Sequence, residues 1–239
     1  MLLEFLSYAF LRRALLSGLL ISVSAALVGS SLVLKRYAMI GDGLSHVGFA
    51  SLAIAMIFSW SPLIVALPIV ILAAFLLLRI SENNPLRGDA AVAMISSAAM
   101  AISILLISVT KGMNTDVFSF MFGSILSLSD SDMILSVALS VAVALSYVIS
   151  YNKIFAVTFD ETFAESSGIS SSFWNSVLAV LAAVTIVLGM RMMGALLISS
   201  LIIFPPITAM RLFGSFTQVS IVSVVVSVAA FLIGIFSSY

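Results

Sequence analysis

Eight stretches of the chain are apolar over about the 20 residues a helix needs to cross a hydrocarbon core. They run over 14–34, 38–60, 62–80, 90–110, 133–151, 173–190, 193–213 and 217–237. The links between them are short, the longest being 152–172, so the pattern predicts an all-α polytopic membrane bundle forming one domain over 1–239. The apolar piece 117–128 has only 12 residues, too few to span, and is expected as a re-entrant or surface helix on the outer side. Residues 2–10, apolar and aromatic around Glu4, are expected at the interface. The first span is read as a retained helix: its apolar run exceeds that of a signal peptide, and further spans follow.

The 152–172 link has its own pattern. Phe155, Phe159 and Phe163 recur every four residues, with Asp160, Glu161 and Glu165 off that stripe. This predicts one amphipathic helix that either lies on the membrane or docks in a partner's groove, with Gly168 as its C-terminal stop.

Composition supports the membrane reading, with 62% hydrophobic residues and only 8% charged, against about 25% charged in a soluble domain. Ten basic and ten acidic residues leave no net charge with which to hold nucleic acid. The absence of cysteine excludes disulfides and thiolate metal sites, and a single histidine excludes a multi-histidine centre within one chain. No phosphate-binding glycine loop occurs, so any ATP hydrolysis belongs to partner chains. Placing the N-terminus outside puts Lys35, Arg36, Arg79, Arg87, Lys153 and Arg211 in the cytosol and Arg12, Arg13, Lys111 and Arg191 outside. The positive-inside rule favours that orientation, which also puts the 152–172 link in the cytosol.

Apart from Arg79 and Arg211 near segment ends, only Asp42 and His46 place ionisable groups within a span. Their i,i+4 spacing sets both side chains on one helix face, where a carboxylate oxygen and an imidazole nitrogen can reach one cation. Carboxylate plus imidazole suits zinc, manganese or ferrous iron. Two ligands hold an ion loosely, as a transport path requires, and a symmetric dimer would supply two copies of the pair. The alternative is structural: Asp42 pairs with Lys35 or Arg36 and holds His46 as a lock. Gly41, Gly43 and Gly48 allow either close helix packing or a local break exposing carbonyls. Asp116, Asp130 and Asp132 flank the short outer piece and either attract cations to a pore mouth or form a solvated rim. Pro205 and Pro206 interrupt hydrogen bonding in the seventh span, giving a packing kink or a hinge. Met190, Met192 and Met193 read as bundle filler.

The chain resembles the membrane permease subunits of ABC importers for zinc, manganese and iron. The resemblance rests on Val33-Leu-Lys35-Arg36-Tyr-Ala-Met-Ile40-Gly-Asp42-Gly-Leu-Ser45-His46, on Asp89-Ala-Ala-Val-Ala, and on Asp116-Val-Phe-Ser-Phe-Met-Phe122-Gly123-Ser-Ile-Leu126. Phe159-Asp160-Glu161-Thr-Phe-Ala164-Glu-Ser-Ser-Gly168 and Gly194-Ala-Leu-Leu-Ile-Ser-Ser-Leu-Ile-Ile-Phe-Pro205-Pro-Ile-Thr-Ala209 follow in the same order. It implies a homodimeric permease in the cell membrane, with two cytosolic ATP-binding subunits and an extracytoplasmic metal-binding protein. It implies Asp42 and His46 as the metal-handling pair, and Phe159, Asp160, Glu161, Ala164 and Gly168 as the coupling segment that meets the ATPase. The metal is cargo, with no cofactor held permanently, and the chain is not itself an enzyme. Beyond the point matching Gly234 to Tyr239 the family continues with an outer turn and sometimes another apolar stretch. The competing reading is a stand-alone proton-coupled transporter or channel using the same two residues. The absence of a visible internal repeat disfavours it. An intramembrane enzyme would need a third ligand or a nucleophile, which the sequence does not place near the pair.

Overall fold

The computed structural model describes residues 9–83, 85–109, 123 and 130–238. Among these the helices, in chain order, are α1 Ala9–Leu34, α2 Ala38–Ile57, α3 Pro62–Asn83, α4 Pro85–Val109, α5 Asp130–Ile149, α6 Tyr151–Phe159, α7 Glu161–Ser166, α8 Ser171–Met193, α9 Ala195–Leu212 and α10 Phe216–Ser238. Helices α1 to α5 and α8 to α10 correspond to the eight expected spans. Seven of them are long and apolar enough to cross a membrane, and the fifth span, Met133–Ile149, turns by 68° into Tyr151–Phe159. The residues 2–10 expectation falls mostly, and that for 117–128 almost wholly, outside the described residues.

Helix α1 is the hub, lying against α10, α9, α5 and α8, while α2 packs against α3, α4 and α9. Close approach to α1 rests on small residues: Gly18, Ser22, Ala25, Ala26 and Gly29 are among its buried positions. In lipid no hydrophobic drive holds helix to helix, so tight packing and hydroxyl hydrogen bonds take its place. The Tyr147 hydroxyl meets Ser31 Oγ at 2.7 Å and Ser30 Oγ at 3.2 Å, and Ser30 Oγ meets Ser220 Oγ at 3.3 Å. Ser24 Oγ donates to the Ser140 carbonyl and Ser227 Oγ to the Ser22 carbonyl. This seam stitches α1 to α5 and α10 within the apolar core.

The second span ends at Ile57, short of residue 60, because the chain closes with the two backbone hydrogen bonds of a Schellman stop, Trp60 N–H to Ala55 O and Ser59 N–H to Met56 O. Ser59 takes the left-handed φ of 53° that this closure requires. The same closure ends α1, with Tyr37 N–H on Leu32 O and Arg36 N–H on Val33 O, and Arg36 at φ 64°. It also ends α7 at Gly168, where φ is 81°. The expected glycine stop is therefore in place.

The expected single helix carrying all three phenylalanines is corrected. The chain breaks at Asp160, whose extended backbone (φ −151°) separates α6 from α7 and whose Oδ1 accepts the Phe163 N–H at 2.9 Å. An aspartate that caps the helix after it must leave the helix before it. Helix α9 runs through Pro205 and Pro206, both buried. Met190, Met192 and Met193 are buried core residues, as filler should be.

The 35–37 link, α6, α7 and the start of α10 gather at one end of the bundle, where the Phe216 ring lies 5.3 Å from Phe155 and 5.8 Å from Phe159. At the opposite end of α8, Gly123 lies against the backbone of Met192, Met193 and Gly194. This matches the sequence reading that put Lys35 and the 152–172 link on one side and Gly123 on the other.

Candidate functional site

Helix α2 runs unbroken through Gly41, Gly43 and Gly48. A Cβ at Gly43 would sit 2.9 Å from Val92 of α4, and one at Gly48 would sit 2.6 Å from the Met190 side chain. These glycines let neighbours close on α2, and the alternative of a local helix break is overturned. With a rise of about 1.5 Å per residue, Asp42 lies roughly 6 Å and His46 roughly 12 Å from the helix start, on its half nearer the Lys35 link.

Asp42 Oδ2 and His46 Nε2 are 3.6 Å apart, with the imidazole 22% and the carboxylate 38% exposed. That separation is too long for a hydrogen bond. Two ligand atoms each about 2.1 Å from one tetrahedral ion would lie about 3.4 Å apart, so the pair is spaced to share a cation between them. The Ser45 hydroxyl, one residue before His46, donates to the Gly41 carbonyl at 2.7 Å. Among the described residues no group of three or more histidine or carboxylate side chains could hold a metal. Among the described residues, further ligands would come from hydroxyl or backbone oxygens, water or another chain.

The structural lock through Lys35 is overturned, because Lys35 is engaged elsewhere. Its ammonium donates to Glu161 Oε1 at 2.6 Å, to the Val157 carbonyl at 3.2 Å and to Asn175 Oδ1. Asn175 Nδ2 also donates to Glu161 Oε1, at 3.1 Å. Lys35 is 5% exposed and the Glu161 side chain 42%. Burial acts to raise the Glu161 carboxyl, but hydrogen bonds from Lys35 and Asn175, with the lysine charge, outweigh it and hold the group below its ordinary value. Because the folded-state value is depressed, the bridge is fully present above the ordinary carboxylate range and is lost as pH falls through the lower folded value. In carboxyl-labelled protein, the Glu161 carbon resonance is expected to titrate with a midpoint below 4.5, the ordinary value. Lys35→Met should move that midpoint upward, and an unchanged midpoint would show the lysine does not set it.

Of the expected coupling residues, Phe159 is exposed and joins a ring cluster with Phe155 and Phe216, while Phe163 is exposed on α7. Asp160 caps α7, Ala164 is buried, Gly168 ends α7, and Glu161 turns partly inward to Lys35. Asp116 and the side chains of Asp130 and Asp132 lie outside the described residues. Asn175 drew no attention in the sequence. The signal for it was a lone amide at the start of an apolar span, which requires a polar partner.

The ABC 3 transport family model matches residues 7–239. The chain is 29% identical over 232 residues to the manganese import system permease protein ScaB of Streptococcus gordonii, covering 97% of this chain and 83% of that protein. It is 29% identical over 238 residues to a Haemophilus influenzae protein named "Probable iron transport system membrane protein", covering all of this chain and 88% of that one. Among solved structures, PsaBC from Streptococcus pneumoniae in complex with Fab superposes with a TM-score of 0.85 at 29% identity, over 99% of this chain and 86% of that chain.

Proposed function

The chain belongs to the ABC 3 transport family, and from that premise we propose that it is the permease of an ATP-driven importer carrying a divalent transition metal, zinc, manganese or iron, into the cytosol. ATP hydrolysis occurs on cytosolic partner subunits, and an extracytoplasmic metal-binding protein delivers the ion to the outer face. A second copy of the chain completes the pathway. The observation that carries this reading is the Asp42–His46 pair, 3.6 Å apart on a buried span with no hydrogen bond between them. Manganese and iron appear in the names of the similar proteins, and the donor set accepts either.

In this mechanism the ion leaves the binding protein, passes the outer 111–132 region and rests between Asp42 and His46. Two protein ligands bind it firmly enough to desolvate it and weakly enough to release it. Closure of the ATP-binding subunits then moves α6 and α7, whose exposed Phe155, Phe159 and Phe163 present an apolar docking face, and the bundle shifts to open inward.

Proteoliposomes containing the permease with its ATP-binding subunit, supplied with binding protein and manganese, iron or zinc, test the reading. Uptake should require internal or external ATP according to insertion and should fall to background without the ATPase. Ion flux through the permease alone, independent of ATP and driven by a proton gradient, would instead establish the stand-alone transporter.

A further inference from the structure

Helix α2, which carries the ion pair, makes no substantial packing contact with α6 or α7 among the described residues. Any movement of the cytosolic segment must therefore reach Asp42 and His46 through intermediates. We propose that Lys35 is that intermediate: a positioning residue whose buried ammonium ties α6, α7 and α8 to the link that starts the ion-binding helix. The proposal rests on the functional reading above and specifies how the segment drives the site.

The geometry is specific. An ammonium has three N–H donors, and each finds an acceptor on a different helix: the Val157 carbonyl near the end of α6, Glu161 at the first position of α7, and Asn175 in the first turns of α8. The Lys35 stem belongs to a turn that cannot stretch. Lys35 N–H bonds to Ser31 O, Arg36 N–H to Val33 O and Tyr37 N–H to Leu32 O, with Arg36 held in the left-handed region. Helix α2 begins three residues after Lys35, and Asp42 follows within its second turn. The Tyr37 ring, 5.9 Å from the ammonium, adds a further contact within the same turn. A displacement of α7 that keeps its salt bridge must drag this turn, and the turn carries α2 with it.

The parallel route, through packing of α8 on α2, does not need the lysine, so the two are separable. In proteoliposomes holding the permease with its ATPase and binding protein, the ratio of manganese ions imported to ATP hydrolysed is measured for wild type and for Lys35→Met. The neutral pair Lys35→Met with Glu161→Gln serves as the second variant, since it leaves no charge buried without a partner. ATP hydrolysis should persist within about twofold, while ions imported per ATP should fall about tenfold or more in whichever variant assembles. A purely structural lysine would lower the amount of assembled transporter and leave that ratio alone. An unchanged ratio beside an active wild type overturns the proposal, as does failure of both variants to assemble. Absence of ATP-driven uptake of manganese, iron and zinc alike in the wild type overturns the functional reading itself, and is seen before any variant is compared; where the wild type carries iron or zinc instead, the ratio is measured with that ion.

Discussion

Asp42→Asn and His46→Ala are each expected to lower ATP-driven metal uptake by about 100-fold or more, with the permease still assembled with its ATPase. Even groups that only orient a metal ligand are worth about 10–100-fold in affinity, so loss of a ligand itself should cost at least the upper end of that range. If the proposed site holds the ion between Asp42 and His46, either substitution removes one of its two side-chain ligands among the described residues. The geometry also predicts that folding is spared. The two side chains make no hydrogen bond to each other, so removing one leaves the other without a lost hydrogen-bond partner. Asn preserves the shape of Asp42 while removing the charge that binds a cation. Because the residues act as one site, the double variant should be scarcely worse than either single one. Uptake assays on matched amounts of assembled transporter decide the matter. Transport surviving both substitutions would move the path to backbone carbonyls and leave the pair without a role in handling the ion.

That pair was legible because charge inside an apolar run is costly and i,i+4 spacing fixes a shared face whatever surrounds the helix. The spans were legible for a similar reason: about 20 apolar residues in lipid have little choice but to form a helix. What eluded the sequence lay in partners distant along the chain. Lys35 meets Glu161 and Asn175 across 126 and 140 positions, and no periodicity encodes that meeting. From sequence alone Lys35 was a topology marker and a candidate partner for Asp42. Only the fold shows that its ammonium points the other way along the bundle end.

The hydroxyl seam was equally hidden. A serine in a membrane helix can satisfy itself on the carbonyl one turn back, as Ser22 does on Gly18 and Thr185 on Leu181. Nothing in composition therefore distinguishes a self-satisfied serine from one like Ser31, which reaches Tyr147 on another helix. The break at Asp160 had a readable signal, an aspartate three residues ahead of Phe163 in the position of a helix cap. The phenylalanine spacing ran across it and suggested continuity. Local capping prevailed, because the extended conformation of Asp160 satisfies the start of α7 while ending α6.

Gly29→Ala is expected to destabilise the folded permease by about 3 kcal/mol, the upper end of the range for overpacking, and so to lower its folding equilibrium constant by about two orders of magnitude. A Cβ at Gly29 would lie 2.2 Å from the Ile202 carbonyl oxygen and 3.0 Å from its carbon. These are backbone atoms of α9, which cannot rotate away. Their position follows from the proline pair: Pro206 has no N–H to offer the carbonyl four residues earlier, so the Ile202 oxygen lacks its helical partner and faces α1 instead. Glycine is what allows the two helices to meet at that carbonyl, and a methyl group would force them apart where Ile202 also contacts Gly41 beside Asp42. Gly18→Ala provides the control on the same helix. The nearest atom there, at 2.1 Å, is the tip of the Phe231 ring, the far end of a side chain that can give way by a shift at χ1 where a backbone carbonyl cannot, so the expected cost is about 1 kcal/mol, the low end of that range. Thermal unfolding of the two purified variants in one detergent measures the difference. Equal losses would show that α1 and α9 can separate freely at this crossing, and that the carbonyl freed by Pro206 does not fix how closely they approach.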